Sequence, residues 1–256
     1  MTPYYSDQQV RLYLGDLRDV LPDLSADGPI ADVCLTDPPY GETSLSWDRW
    51  PKGWPSLVAA ALPPVTSLWC FGSMRMFLDQ RDQFEGWRLA QDVIWEKSMG
   101  TGFAADRFKR VHEIAVQFYR GSWGALYRSS QREIGGTVVK GTVHRSANRT
   151  PHSGSIGGTP WEDDGRRLVK SVIRVPNMRF RAVHPTEKPT GILDPLIAYS
   201  CPPGGTVLDP FAGSGSTLDA ARCSGRKAIG IEASEAYCEV IARRLSQGSL
   251  FGGVAS

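Results

Sequence analysis

Residues 206–217 read TVLDPFAGSGST and place a glycine turn between a short apolar run and the start of a helix. The run before the turn is typical of a buried parallel strand. Gly213 and Gly215 permit a tight turn, and Ser216-Thr217 can begin the helix. A strand, a glycine turn and a helix in this order place backbone N–H groups beside a ligand at the carboxyl edge of a sheet.

An acidic residue at the end of the next apolar run narrows the class of ligand. Glu232 follows Ile229-Gly230-Ile231 and lies about 20 residues beyond the glycines, a spacing at which a carboxylate can accept hydrogen bonds from ribose hydroxyls. Alone, Glu232 would be better explained as a helix N-terminal acid interacting with the helix dipole. The glycine turn favours the ribose contact, and the lack of a Walker lysine after the glycines disfavours a phosphate-rich ligand.

A second strand end carries the segment Asp37-Pro38-Pro39-Tyr40, which follows the apolar run Ile30–Leu35. Consecutive prolines fix the φ angles, so the Pro38 carbonyl is oriented before a substrate arrives. That carbonyl and the Asp37 carboxylate can each accept one hydrogen of an exocyclic nucleobase amine, and Tyr40 can stack on the base. Asp-Pro-Pro alone is often only a turn. Its place between a buried strand and a tyrosine favours a catalytic role.

The rest of the chain alternates short apolar runs with helical segments, which indicates an α/β sheet with covered faces. The predicted strands are Val10–Leu14, Ile30–Leu35, Val65–Phe71, Leu89–Trp95, Ile114–Tyr119, Thr206–Asp209 and Lys227–Glu232. The predicted helices are Ser56–Leu62, Met74–Phe84, Ile192–Tyr199, a helix from Ser216, and Ser234–Leu245. The segment 121–167 breaks the pattern and is too long for an ordinary connection, so we expect a functional insertion. The tail from Gly248 is expected to fray.

Composition and length indicate one soluble globular domain with an insertion. The chain has 256 residues, of which 41% are hydrophobic and 22% charged. No apolar run approaches the roughly 20 residues that span a bilayer, and no signal-peptide pattern is present. Five scattered cysteines without a CxxC pair predict reduced, buried thiols, and four histidines without ligand spacing argue against a structural metal. We therefore expect a cytoplasmic protein with no membrane partner and no metal.

The charge of the chain is unevenly distributed. Its net charge is +2, but residues 120–181 contain twelve Lys/Arg and four Asp/Glu, a net of +8, which leaves −6 for the remainder. A basic middle on a mildly acidic body suggests that the middle contacts a polyanion. The alternative is a solvated basic loop.

Some side chains suggest other chemistry. Cys201-Pro202 resembles a thiolate nucleophile for cytosine C5, but the dipeptide runs opposite to the Pro-Cys used there, so we interpret Cys201 as a buried structural thiol. His184 could be a general base, although a hydrogen-bonding role beside Thr186 and Lys188 is favoured. Three tryptophans could stack bases or equally pack a loop: Trp47, Trp50 and Trp54.

Together these motifs resemble the amino-group DNA methyltransferases, in the permuted (beta-type) group whose catalytic tetrapeptide precedes the cofactor glycines. The resemblance covers nearly the whole chain. The matching segments are Thr36–Tyr40 (catalytic motif), Trp95–Lys97 and Arg110–Glu113 (central strands), His184–Pro189 (HPT-x-KP segment), Asp209–Thr217 (cofactor loop) and Glu232 (ribose-binding acid). Ser216 departs from the threonine that relatives more often carry, which changes only the position of a hydroxyl.

The resemblance implies a Rossmann-like α/β fold with a seven-stranded mixed sheet and S-adenosyl-L-methionine (AdoMet) as methyl donor. It divides the chain into a catalytic half (1–121), a target-recognition insertion (122–171), an AdoMet-binding half (172–247) and a flexible tail (248–256). The catalytic residues it implies are Asp37, Pro38, Pro39 and Tyr40. The cofactor-binding residues are Asp37, His184, Thr186, Lys188, Asp209, Phe211, Ala212, Gly213, Ser214, Gly215, Ser216, Thr217 and Glu232.

The implied substrate is double-stranded DNA, methylated by direct attack after base flipping. Candidates for phosphate or guanine contacts are Arg128, Arg132, Lys140, Arg145, Arg149, Arg166 and Arg167. Cytosine-N4 enzymes usually carry serine where this chain has Asp37, so adenine N6 is favoured and cytosine N4 is the alternative. A homodimer and a cognate restriction endonuclease are further partners that the resemblance suggests.

The motifs support two rival functions less well. Methyltransferases for RNA or for a protein glutamine usually carry Asn-Pro-Pro and place the cofactor glycines first, whereas the order here is reversed. A non-catalytic AdoMet-fold subunit that only binds DNA would not need an intact site, and Asp37, Tyr40, Gly213 and Glu232 are all in place.

Overall fold

The computed structural model describes residues 1–45, 47–101, 106–134, 142–143, 161–162, 164–176 and 188–251. The chain forms two compact units, one of Met1–Ser129 with Ser171–Ser256 and one of Ser130–Lys170. Among the described residues, no helix is both long enough and apolar enough to cross a membrane.

The strands and helices follow one another in the alternation that the sequence predicts. The strands are β1 (Tyr5–Ser6), β2 (Val10–Leu14), β3 (Val33–Thr36), β4 (Thr66–Gly72), β5 (Arg88–Thr101), β6 (Arg110–Arg120), β7 (Arg132–Ile134), β8 (Thr142–Val143), β9 (Trp161–Glu162), β10 (Arg166–Leu168), β11 (Val172–Arg174), β12 (Thr206–Asp209) and β13 (Lys227–Glu232). The helices are α1 (Leu17–Leu24), α2 (Trp54–Ala61), α3 (Met74–Asp79), α4 (Thr190–Ser200), α5 (Ser216–Cys223) and α6 (Glu235–Phe251). Two 3₁₀ turns span Arg81–Phe84 and Trp123–Ala125.

The main sheet lies in the larger unit and has the strand order β1-β2-β13-β12-β3-β4-β6-β5-β11. It is mixed, because β6 runs antiparallel to both of its neighbours and β1 runs antiparallel to β2. β12 is central and pairs in parallel with both β3 and β13. The carboxyl ends of these three strands therefore meet at one edge of the sheet.

The expected strand number is wrong, since this sheet has nine strands and not seven. All seven predicted strands are present, and β1 and β11 are added at the two edges. These additions are two and three residues long. A segment as short as β1 carries no readable periodicity, so only its backbone pairing to β2 reveals it, whereas β11 lies where the sequence pattern becomes regular again after the insertion.

Helix α1 was not expected either, because Pro22 lies inside it. A proline lacks the N–H that an interior helical position donates, which makes such a segment look like a turn. The start of α1 is nevertheless capped, since an Asp16 carboxylate oxygen accepts from the Arg18 N–H at 2.8 Å. The helix expected over Met74–Phe84 is shorter, because α3 ends at Asp79 and a 3₁₀ turn follows.

Both faces of the sheet are covered, as is usual where parallel strands dominate. Val33 and Leu35 of β3 pack into the cluster that contains the α4–α6 side chains, whereas Cys34 packs into the cluster with α1 and α2. Cys201 is fully buried in the first cluster, and burial raises the pKa of its thiol to about 12. This confirms the structural interpretation of Cys201, because a protonated thiol is a poor nucleophile. The expectation of buried thiols fails only for Cys223, which is exposed at the end of α5.

The described part of the smaller unit contains two antiparallel pairs of short strands. β7 pairs with β10 so that Arg132 lies opposite Leu168 and Ile134 opposite Arg166, and β8 pairs with β9. Arg132 and Arg166 are exposed. Arg128 precedes this unit and stacks over the Trp123 ring at 4.4 Å. The other basic candidates, Lys140, Arg145 and Arg149, lie outside the described residues.

Candidate active site

A cleft of about 1070 Å³ lies at the carboxyl edge of the main sheet. Its walls come from the segments that follow three parallel neighbours, which are Asp37–Tyr40 after β3, Pro210–Ser214 after β12 and Ala233-Ser234 after β13. Side chains from β5 and β6, the segment Gly15–Arg18 and the loop after Tyr40 also line it. The segments Asp37–Tyr40 and Pro210–Ser214, which are far apart in the chain, thus line one cleft.

The glycine turn after β12 has the backbone conformation that glycine is required for. Gly213 has a φ of 52° and Gly215 a φ of 76°, both in the left-handed region. A Cβ atom on Gly215 would also lie 2.9 Å from a methyl carbon of Ile241. The turn is closed by the Gly215 N–H, which donates to the Ala212 carbonyl at 2.7 Å. The backbone therefore passes close to the cleft with no side chain in the way.

Glu232 lies at the end of β13 and faces this turn. One carboxylate oxygen accepts from the Gly213 N–H at 2.9 Å, and the other accepts from the Ser234 N–H at 2.8 Å. Burial raises the pKa of Glu232, and these backbone donors oppose that shift. Each oxygen still has a lone pair for a ligand hydroxyl, because a carboxylate offers about four acceptor positions.

The two halves of the site are joined by a buried hydrogen bond. The Thr36 hydroxyl at the end of β3 donates to an Asp209 carboxylate oxygen at 2.7 Å, and the Phe211 N–H donates to the same oxygen at 3.2 Å. Burial raises the pKa of Asp209 to about 6, although these donors lower it in part. Asp209 thus ties the catalytic segment to the glycine turn.

Asp37 belongs to a chain of alternating charges. The Tyr40 hydroxyl donates to one Asp37 oxygen and the Lys188 ammonium donates to the other. Lys188 also lies 3.2 Å from an oxygen of Glu113, whose other oxygen accepts from Lys97. All five side chains line the cleft. The geometry makes Asp37 an acceptor held in place from both sides.

The electrostatics of this network keep Glu113 and Lys188 charged at neutral pH. Burial by itself raises the pKa of Glu113, but the ammonium groups of Lys188 and Lys97 outweigh it and lower that pKa to about 2. Burial lowers the pKa of Lys188, but the carboxylates of Asp37 and Glu113 outweigh it, and the pKa rises above its ordinary value. Burial and the nearby Asp37 and Glu113 carboxylates raise the pKa of Tyr40, so it stays a neutral phenol.

Sequence reasoning did not assign site roles to Glu113, Lys97 or Thr36, although all three lie in segments matching the family pattern. Trp95 and Lys97 are two residues apart on β5, so both point to the same face of the sheet, and both line the cleft. Asp48 was also missed. Its carboxylate accepts from the Gly41 and Thr43 N–H groups, each at 2.7 Å, and fixes the loop after Tyr40.

The remaining predicted residues are placed as follows. Lys188 lines the cleft, with its ammonium paired to Asp37 and Glu113, and its predicted cofactor contact stays a prediction. His184 and Thr186 lie outside the described residues. Of the predicted cofactor-loop residues, Gly215 does not line the cleft, and those that do are Asp209, Phe211, Ala212, Gly213, Ser214, Ser216 and Thr217.

The three tryptophans have different environments. Trp54 is fully buried and packs edge-on against Phe211 with ring centroids 5.5 Å apart, so it cannot stack on a base. Trp47 and Trp50 line the cleft, and 44% of the Trp47 surface is exposed. Base stacking therefore remains a prediction for these two only.

Comparison with known proteins agrees with the geometry. A family model described as DNA methylase matches residues 31–243. The Type II methyltransferase M2.LlaDCHI of Lactococcus lactis subsp. cremoris is 23% identical over 284 aligned positions, which cover 98% of this chain and 94% of that protein.

Solved structures show the same fold. The structure of the M1.HpyAVI–SAM complex is 21% identical with a TM-score of 0.62, covering 92% of this chain and 99% of the other. The cytosine-N4-specific PvuII DNA methyltransferase is 16% identical with a TM-score of 0.62, covering 99% of this chain and 91% of the other. Because the family model covers most of the sequence, this chain belongs to the AdoMet-dependent N6/N4 DNA methylase family.

Proposed function

We propose that this protein methylates the N6 amine of adenine in double-stranded DNA by direct attack after the base has left the helix. The observation that carries the proposal is that Asp37, the glycine turn and Glu232 line one cleft. Glu232 and the glycine turn fit the nucleoside part of AdoMet, which supplies an electrophilic methyl group when bound.

The role of the catalytic segment follows from the chemistry of the amine. Its lone pair is delocalised into the ring and becomes nucleophilic when the nitrogen moves toward tetrahedral geometry. Asp37 and the Pro38 carbonyl each accept one amine hydrogen and favour that geometry, while the neutral ring of Tyr40 stacks on the base. The nitrogen–methyl bond then forms as the sulfonium–methyl bond breaks, and the amine releases a proton to its acceptor or to water.

The choice of base rests on Asp37, which stands where cytosine-N4 enzymes usually carry serine. Cytosine N4 is the second candidate, because both bases present an equivalent amine and the similar PvuII enzyme is cytosine-N4-specific.

Single-molecule sequencing of DNA from a methylation-deficient host that expresses the protein tests both candidates. We expect N6-methyladenine in one sequence context. N4-methylcytosine would reject the adenine assignment, and unmodified DNA would favour the rival in which the protein only binds DNA.

Glu232→Ala is expected to weaken AdoMet binding by about tenfold or more, because a hydrogen bond to a charged group is removed. The same change removes the carboxylate that accepts from the Gly213 and Ser234 N–H groups, and these two hydrogen bonds hold the turn in the wild type. Isothermal titration calorimetry measures the affinity. Glu235→Ala is the matched control, since Glu235 is an exposed carboxylate in the first turn of α6. An unchanged affinity in Glu232→Ala would argue against the ribose contact.

We further propose that the smaller unit, Ser130–Lys170, recognises the DNA target, which agrees with the basic charge of this part of the chain. Arg166→Ala combined with Arg167→Ala is expected to flatten the dependence of log affinity on log salt by about 1 for each phosphate that is no longer neutralised. Fluorescence anisotropy at several salt concentrations measures the slope. A control with Arg81→Ala and Arg243→Ala, both exposed in the larger unit, should keep the wild-type slope. Equal slopes for the wild type and both double variants would show that residues other than Arg166 and Arg167 contact the phosphates.

A further inference from the structure

The hairpin formed by β5 and β6 extends past the edge of the sheet that carries the cleft. The last pair between β4 and β6 joins Gly72 to Ile114, so residues 110–113 of β6 continue beyond the carboxyl end of β4. On the other side, β11 pairs with β5 only as far as Glu96. The hairpin pairing itself continues to Thr101 opposite Arg110. The projecting part therefore rises beside the cleft that Lys97 and Glu113 line.

The described end of this hairpin exposes an aromatic side chain among cations. Phe108 is 101% exposed, so none of the described residues covers its side chain. Its neighbours in the chain are Arg107 and Lys109, and Arg110 follows as the first residue of β6. A single exposed apolar residue is common on protein surfaces. Phe108 differs because it lies between the two projecting strands in the chain and within a basic segment.

A basic concavity of about 350 Å³ lies at the base of the same projection. Its lining includes Arg75, Arg110 and His112, and also Glu42, which lies two residues after Tyr40. Glu42 is held by the Ser73 hydroxyl and lies 3.9 Å from an Arg110 guanidinium nitrogen. The concavity is thus continuous with the catalytic loop, and its cations suit a phosphate backbone that passes the mouth of the cleft.

We infer that the projecting hairpin is a second DNA-binding surface, in which Phe108 enters the base stack beside the target nucleotide while Arg75, Arg107, Lys109 and Arg110 hold the adjacent phosphates. Apolar side chains that insert at a base step unstack it, and base-flipping enzymes must overcome the same stacking. Phe108 lies five positions before Glu113, a span of at most about 17 Å in an extended strand, which is within reach of a duplex whose flipped base occupies the cleft. This inference rests on the proposed function.

The test compares Phe108→Ala with Leu89→Ala on two DNA duplexes. Leu89 is a matched control, because it is 68% exposed and lies near the opposite end of β5. The first duplex contains the methylation site mapped by sequencing, and the second carries an abasic residue opposite the target base. Single-turnover transfer of a tritiated methyl group gives the rate on each duplex, and calorimetry gives the AdoMet affinity.

We expect Phe108→Ala to slow methylation of the paired duplex by about tenfold or more, and to have little effect on the abasic duplex, where flipping is already easy. AdoMet affinity should be unchanged, and Leu89→Ala should match the wild type on both duplexes. A Phe108→Ala rate equal to the wild type on the paired duplex would overturn the inference. An equal reduction of the methylation rate on both duplexes would also overturn it. So would a Phe108→Ala variant that methylates at the normal rate but no longer self-associates, because Phe108 would then contact protein and not DNA. A wild-type protein inactive on both duplexes would instead reject the proposed function.

Discussion

Replacing Asp37 with alanine is expected to lower the rate of methyl transfer by about 10²- to 10³-fold, the usual cost of removing one preorganised electrostatic contact to the reacting group. The amine would lose one of its two acceptors, and Lys188 would keep Glu113 as its carboxylate partner. AdoMet should still bind, because Glu232 and the glycine turn are untouched. Single-turnover kinetics and calorimetry separate these two effects.

Asp37→Asn provides the graded control. The amide retains the size of the side chain and one acceptor oxygen, but its NH₂ group would face either the Lys188 ammonium or the Tyr40 hydroxyl, both of which donate to Asp37. We therefore expect a rate between those of the wild type and Asp37→Ala. A near-normal rate in Asp37→Ala would contradict the amine-activating role, and weakened AdoMet binding of the same size would point to a role in the cofactor site.

Glu113→Gln is expected to lower the free energy of unfolding by about 3–5 kcal/mol at neutral pH, the usual cost of breaking a buried ion pair from one side. Glu113 holds Lys97 and shares Lys188 with Asp37, and all of these side chains are largely buried. After the change Lys97 has no carboxylate partner among the described residues and keeps the neutral amide oxygen of the glutamine and the Trp95 ring, whose centroid lies 4.8 Å from its nitrogen. Urea unfolding at pH 7 measures the change.

The pH dependence of the free energy of unfolding gives an independent check on the ion pairs of Glu113. The pKa of Glu113 is about 2 in the folded protein and 4.5 ordinarily, so its carboxylate binds protons less readily when folded. The stabilisation is therefore fully present above pH 4.5 and is lost as the pH falls toward 2. The stability gap between wild type and Glu113→Gln should narrow across that range. Glu235→Gln, which changes an exposed carboxylate, should show no such narrowing, and a constant gap for Glu113→Gln would reject the ion-pair explanation.

Much of the fold could be predicted because its signals are local. The strands that became β2, β3, β4, β12 and β13 are apolar runs, and each ends in residues that break a strand. The elements that were missed lack such a signal. β1 is too short to show a period, and α1 contains Pro22.

The catalytic and cofactor segments could also be located from the sequence, since prolines and glycines restrict or extend backbone angles wherever they occur. The partners of Asp37 could not. Lys188 is 151 residues away in the chain, and Glu113 lies on a third element. Their pairing with Asp37 depends on the order of β3, β4 and β6 in the sheet and on the position of the chain that enters α4.

The sequence by itself determined the fold class, the glycine turn and the Asp-Pro-Pro-Tyr segment, because each depends on the conformational preferences of adjacent residues. Only the tertiary structure decided that Thr36 meets Asp209, that Lys188 is shared by two carboxylates, and that the Phe108 side chain is fully exposed. The physical reason is that hydrogen bonds and charge interactions depend on distances of a few ångströms. Strand pairing sets those distances between residues that no local pattern connects.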